Sequence, residues 1–238
     1  MLYFTCETYG VKQTSASESS IIISLVPVAV FLFSGVMLRE KINVCQGLCV
    51  VASVAGVALM AAAGPGGAVE SGGSHLQGVL WLLGAVLAAA LYTILSRRAG
   101  SHFSAFEVTL VMMWAGALAF GAAGLAEGAL TGCAAALVHA WQRPVVLGGL
   151  LYLGLIASVA AFFLYNYAVA HMPASRAAVF LNLVPVTSCV AGFLFFGERL
   201  GSWQLAGAAL ILLGVWGTNY FAGRGGRAPV GEEVVYRR

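Results

Sequence analysis

The residues able to do chemistry in this chain are few, and they lie in or beside long apolar runs. Ser158, Phe162 and Tyr165 share one helical face at about 100° per residue, with Asn166 adjacent. Asn182 falls between Ser175 and Cys189 at steps of seven, on a second stripe, and Trp114 lies among small residues in another run. An aromatic-and-amide lining with few fixed charges suits amphipathic or zwitterionic metabolites, held by cation–π and hydrogen-bond contacts. Trp114, Tyr165, Asn166, Asn182, Ser158 and Phe162 are therefore the candidate substrate contacts. The alternative is that the aromatic rings anchor at the membrane interface and that Asn182 bonds a neighbouring helix. Glu7 is the deepest acidic candidate, and a carboxyl within a span is a natural proton-coupling group.

Other chemistries find no support. The chain contains no aspartate, and no G-x-S-x-G, H-E-x-x-H or G-x-x-x-x-G-K-[ST] motif, so hydrolysis and ATP-driven work have no visible machinery. Cys45 and Cys49 stand one helical turn apart without further ligands near them in sequence, so no metal is expected, nor any cofactor. A net charge of +3 is too small to suggest nucleic-acid binding.

The elements that must position these residues are membrane helices. Hydrophobic residues make up 61% of the 238 and charged residues 9%, against about 25% in a soluble domain. Apolar runs of about 20 residues, the length that crosses the hydrocarbon core, read as seven spans. They cover 17–38, 43–63, 76–96, 106–126, 145–170, 174–196 and 203–221, and residues 1–11 read as the last turns of another. The stretch 127–143 reads as a mixed loop with some interfacial helix. The opening Met1-Leu2-Tyr3-Phe4 has no basic segment ahead of an apolar one, so no signal peptide is expected.

The chain also repeats itself. At a fixed offset of 158, Ala16-Ser17 falls on Ala174-Ser175 and Leu25-Val26-Pro27-Val28 on Leu183-Val184-Pro185-Val186. Glu40 then falls on Glu198, Gln46 on Gln204, Gly56-Val57 on Gly214-Val215, and Glu7 on Tyr165. In a membrane protein such self-similarity points to a transporter built from two copies of one bundle. Alternating the spans with a cytoplasmic C-terminus puts Arg39, Lys41, Arg97, Arg98, Arg176, Arg224, Arg227, Arg237 and Arg238 inside. Only Lys12, Arg143 and Arg199 are then outside, a positive-inside bias. The Pro27 and Pro185 spans run oppositely in that assignment, which makes the copies an inverted pair.

Pro27 and Pro185 interrupt their spans, where the freed carbonyl needs a partner and the kink faces the bundle interior or a cavity. A static bend that only shapes packing is the alternative. Glu40 and Glu198 follow their spans in tight connections and are read as caps on the helix that comes next, with a gate ion pair as the alternative.

The order Tyr165-Asn166-Tyr167-Ala168, Met172-Pro173-Ala174-Ser175, Leu183-Val184-Pro185-Val186, Phe196-Gly197-Glu198-Arg199 and Trp203-Gln204-Leu205-Ala206-Gly207 resembles the EamA branch of the drug/metabolite transporter superfamily. The resemblance covers nearly all of 76–221 and, more weakly, 9–63. It implies an all-α polytopic membrane protein of ten helices in two inverted five-helix repeats. Residues 1–63 would be the end of the first repeat (the end of helix 3, then helices 4 and 5) and 64–75 a flexible connector. Residues 76–221 would be the complete second repeat and 222–238 a cytoplasmic tail. The counterpart of Leu76 would stand about 80 residues before Met1, so the chain is expected to be the C-terminal portion of a longer protein.

The expectation is a secondary transporter in the plasma (inner) membrane that exports small organic metabolites, amino-acid-like or amphipathic, by alternating access. Its partners would be the lipid bilayer, a small-molecule substrate, and a second copy or the missing N-terminal portion. A non-transporting remnant, a half-transporter needing a partner chain, and a membrane-embedded enzyme are the alternatives.

Overall fold

In a computed structural model, residues 2–14, 16–40, 43–62, 75–131, 143–196 and 201–224 are described. Glu198, most of the 64–75 connector and the tail beyond Arg224 lie outside them. Among the described residues there is no strand. The helices are α1 (Leu2–Gln13), α2 (Ala16–Ile23), α3 (Val26–Met37), α4 (Val44–Ala62), α5 (His75–Ala99) and α6 (Ala105–Thr131). Then come α7 (Pro144–Leu151), a π-helical stretch (Tyr152–Ala160), α8 (Ala161–His171), α9 (Ala174–Val179), a 3₁₀ turn (Phe180–Leu183), α10 (Val184–Phe196) and α11 (Ser202–Arg224).

Among the described residues, six stretches are long and apolar enough to cross a membrane: Glu18–Met37, Val44–Ala62, His75–Ala99, Ala105–Ala126, Pro144–His171 and Ala174–Phe195. The expected seventh, 203–221, corresponds to α11, which forms over 23 residues. Of the stretch 127–143, expected as a mixed loop with some helix, residues up to Thr131 continue α6, and 132–142 lie outside the described residues.

Three helix starts fall at the sequence offset. Helices α2 and α9 begin at Ala16 and Ala174, α3 and α10 at Val26 and Val184, and α4 and α11 at Val44 and Ser202. The prolines explain the middle pair. Each stands second in its helix, where its missing N–H removes no intrahelical bond, and the chain ahead of it tightens or turns. Before Pro185 the carbonyl of Leu181 is taken by the N–H of Val184 in the 3₁₀ turn. Before Pro27 the turn at Ser24-Leu25 carries a 3.1 Å bond from the Leu25 N–H to the Ile22 carbonyl. The carbonyl that Pro185 frees, that of Leu181, is thus met by a local change of helix type, which bilayer interiors require.

The chain divides into two compact units, Ser96–Ala170 and Leu2–Leu95 with His171–Arg238. In the larger unit, α4 and α11 pack antiparallel through small residues. A Cβ on Gly56 would stand 2.7 Å from the Gly207 carbonyl oxygen and 2.8 Å from Ile211, and one on Gly214 would stand 2.7 Å from the Cys49 carbonyl oxygen and 2.8 Å from Ser53. Under the offset of 158, Gly56 becomes Gly214, Gly207 becomes Cys49 and Ile211 becomes Ser53, so the two sets of contacts are images of one another. Close backbone approach supplies the dispersion contacts that drive helix association in lipid, where no hydrophobic force acts between helices. Val50, Val57, Met60, Val179, Ile211 and Val215 extend this core. A second core joins α3, α5 and α9 through Val26, Val30, Val86, Ala90, Ile94, Ala174 and Ala178. Helix α1 lies against α5, with Leu82 beside Gly10 and the Tyr9 and Trp81 rings 5.7 Å apart.

The smaller unit is built on α6 and the long helix from Pro144 to His171. Ser104 and Glu107 form a capping box at the start of α6. The Ser104 N–H donates to Glu107 Oε2 at 2.8 Å, and the Glu107 N–H donates to Ser104 Oγ at 3.2 Å. The Arg97 guanidinium donates to the Val169 and Ala170 carbonyls, a cation closing the C-terminus of α8.

Candidate functional site

Within Leu2–Leu95 and His171–Arg238, a ladder of polar side chains joins α4 to the helix that starts at Ala174. Gln46 Nε2 donates to Ser175 Oγ at 3.3 Å, and one rung deeper Asn182 Nδ2 donates to Ser53 Oγ at 2.9 Å. Gln46 and Ser53 are seven residues apart, as are Ser175 and Asn182, so two stripes of equal spacing face each other on helices running the same way. All four side chains are buried, with Asn182 3% exposed. Asn182 lies in the 3₁₀ turn itself, three residues before Pro185. Its counterpart at the offset is Ser24, in the turn before Pro27, also buried, whose Oγ donates to the Ile21 carbonyl at 2.6 Å. Each broken helix therefore carries a small polar group at its break.

Glu40 corrects an expectation. It does not cap α4, the helix that follows it, because Asn43 does so, with Oδ1 accepting the Cys45 N–H at 3.0 Å. Instead Glu40 Oε1 accepts the Ala174 N–H at 2.9 Å and Oε2 accepts the Ser175 hydroxyl at 3.3 Å. The chemistry of a carboxylate at a helix N-terminus holds, but the helix belongs to the other half of the sequence. The end of α3 thus meets the start of α9, so these two run antiparallel. Glu198 lies outside the described residues.

Glu7 accepts a 3.0 Å bond from the Tyr3 hydroxyl one turn earlier in α1 and is half-buried. Arg176 Nε donates to Asn219 Oδ1 at 3.0 Å, and Glu18 and His75 pair at 2.9 Å across the starts of α2 and α5.

Within Ser96–Ala170, Asn166 is 2% exposed and ties three helices. Its Oδ1 accepts the Ser96 hydroxyl at 2.8 Å, its Nδ2 donates to Thr109 Oγ1 at 2.9 Å, and Thr109 donates in turn to the Ala105 carbonyl at 2.7 Å. Thr109 also lines a cleft of about 380 Å³ between α6 and the π-helical stretch, otherwise walled by apolar side chains such as Phe106, Met113, Leu155 and Phe163. Asn166 stands behind this wall. The cleft is lined by Val159 and Phe163, one position on from Ser158 and Phe162. Ser158 Oγ donates to the Leu153 carbonyl five residues back, inside a nine-residue π-helix. Tyr165 and Phe162 are half-buried, and Trp114 is 63% exposed on α6.

Sequence reasoning left out Ser53, Ser96 and Thr109. The equal seven-residue spacing of Gln46–Ser53 and Ser175–Asn182 could have shown the first. Ser96 and Thr109 carry no such signal. Among the described residues no cluster of His, Cys or carboxylates could hold a metal ion.

The EamA-like transporter family matches residues 1–62 and 76–220. An uncharacterized transporter of Bacillus subtilis is 30% identical over 218 residues, covering 92% of this chain and 69% of that protein. A second Bacillus subtilis transporter, also uncharacterized, is 27% identical, with 91% and 64% covered. A protein of Streptantibioticus cattleyicolor, named a probable terminal-alkyne amino-acid exporter, is 28% identical, with 87% and 65% covered. The chain thus spans about two thirds of the length of these relatives. One solved crystal structure of a protein superposes with a TM-score of 0.70 at 20% identity, over 93% of this chain and 73% of that one, a likeness of fold. Six apolar spans, an all-helical fold and relatives that are transporters rather than enzymes agree. The chain belongs to the EamA-like transporter family, as an integral membrane protein of the drug/metabolite transporter type.

Proposed function

We propose that this protein moves amino-acid-like or amphipathic metabolites across the plasma membrane, as an exporter, by alternating access of two inverted repeats. In this reading 1–63 is the latter part of a first repeat and 76–221 the second, with the C-terminus on the cytoplasmic side. The observation that carries it is the pair of broken helices: α2–α3 and α9–α10 restart at matched residues, each with a polar side chain at the break. Discontinuous helices in corresponding positions of two halves mark the substrate region of such transporters. The image-paired contacts of α4 and α11 support an antiparallel relation of the halves. The relative named as an amino-acid exporter supports both the substrate class and the direction.

Asn182 is assigned to the substrate path in its unit, and Trp114, Ser158, Phe162, Tyr165 and Asn166 in theirs. Glu7 is the assigned proton-coupling group, and Pro27 and Pro185 shape the path. A panel of ligands tests the substrate class. A ligand that binds only the folded state adds about 2.7 kcal/mol at a hundred times its Kd. Neutral amino acids should raise the melting temperature of the purified protein, and Asn182→Ala should reduce that shift. Stabilisation by nucleosides or dicarboxylates, with none from amino acids, would reject the substrate class.

A further inference from the structure

We propose that the Glu40 carboxylate is the releasable latch of one end of the transport path, shut while it holds Ala174 and Ser175 and open when it lets go. The inference rests on the alternating-access reading above. Among the contacts that join the halves of the sequence, two kinds differ in how the repeat maps them. Those between α4 and α11 come in image pairs, Gly56–Gly207 with Cys49–Gly214 and Gly56–Ile211 with Ser53–Gly214. If the halves exchange conformations, such a seam keeps the same contacts and can serve as the axis. The Glu40 bonds to the Ala174 N–H and the Ser175 hydroxyl are different. The offset of 158 carries their partners to the opposite end of the paired helices, so these bonds hold one end alone.

The local structure suits a latch. Arg39 has φ 53°, a left-handed backbone uncommon outside glycine, and this turn brings the Glu40 N–H to the Ser34 carbonyl at 3.2 Å and aims the carboxylate across at α9. Ser175 is a relay, accepting from Gln46 and donating to Glu40. The fully buried Ala174 and Ala178, at and one turn beyond the latch, belong to an apolar core against which Phe33, Met37 and Leu38 of the α3 end also pack. Apolar contacts in lipid are non-directional and slide easily. The charge-assisted bonds at the rim supply the geometry that defines the shut state.

The test reads access directly, with no substrate needed. In a chain whose native cysteines are replaced, Ala178→Cys places a thiol one turn below the latch. A membrane-impermeant methanethiosulfonate reagent is then added to one side of oriented vesicles at a time. With Glu40 in place, modification should be slow. Glu40→Ala should speed it about tenfold, the scale of one lost charge-assisted bond, from the side bearing Arg39 only. Ser175→Ala, a milder change, should speed it less. Unchanged or slower modification in both variants, or equal acceleration from both sides, would overturn the latch. If the latch responds as expected but the wild-type protein shows no flux, the transport reading fails while the latch stands.

Discussion

Single side chains act here chiefly as ties between helices. The Asn182–Ser53 bond is buried at a helix break, so its loss should be felt at once. Asn182→Ala should destabilise the protein by about 0.5–2 kcal/mol, the range for interhelical bonds in lipid and for unpaired buried amides. Unfolding in mixed micelles checks the figure, and a double-mutant cycle with Ser53→Ala should give a coupling near 0.6 kcal/mol, about the membrane average. Additive single effects would show that the two side chains do not act as a pair. At this scale the sequence was partly legible. The chemistry of Glu40 follows from its type, a carboxylate that satisfies helix-terminal N–H groups. Its partner does not, because Ala174 is 134 residues away and Asn43 already occupies the local cap. Asn182 was readable as a polar group on a stripe, whereas Ser53 needed the matching stripe on α4 to be noticed.

Two elements depart from plain α-helix, and each departure has a cause. The breaks ahead of Pro27 and Pro185 come from a residue that cannot donate, so both were foreseeable from sequence. Pro185→Ala restores the donor and should let α9 and α10 merge into one helix. If the break shapes the path, flux should fall about tenfold, equivalent to 1.4 kcal/mol on the rate-limiting barrier, with folded yield preserved. Undiminished flux would reduce the break to a packing bend. The π-helical stretch, by contrast, was not foreseeable. No residue between Tyr152 and Ala160 demands it, so the cleft lined by Val159 and Phe163 left no signature in the sequence. The α4–α11 seam is the most restrictive packing in the larger unit. Gly56→Leu would drive a side chain into the Gly207 carbonyl, which should cost at least about 1–3 kcal/mol and lower the yield of folded protein in detergent. A substitution at Gly116, whose added Cβ meets nothing within 4 Å, should be silent in the same assay.

For the whole molecule, sequence carried the class further than the site. Apolar runs and a period of 158 residues led to a polytopic transporter, because bilayer thickness and sequence repetition leave marks that need no tertiary detail. What links the halves was hidden, because bonds such as Glu40–Ala174 and Gln46–Ser175 join residues more than a hundred positions apart. Counterflow in proteoliposomes tests the central claim of alternating access most directly. Vesicles loaded with an unlabelled neutral amino acid should transiently accumulate the labelled compound from outside, above its equilibrium level, as a carrier with one alternately exposed site requires. Labelled amino acid that enters only to equilibrium, or not at all, would contradict it.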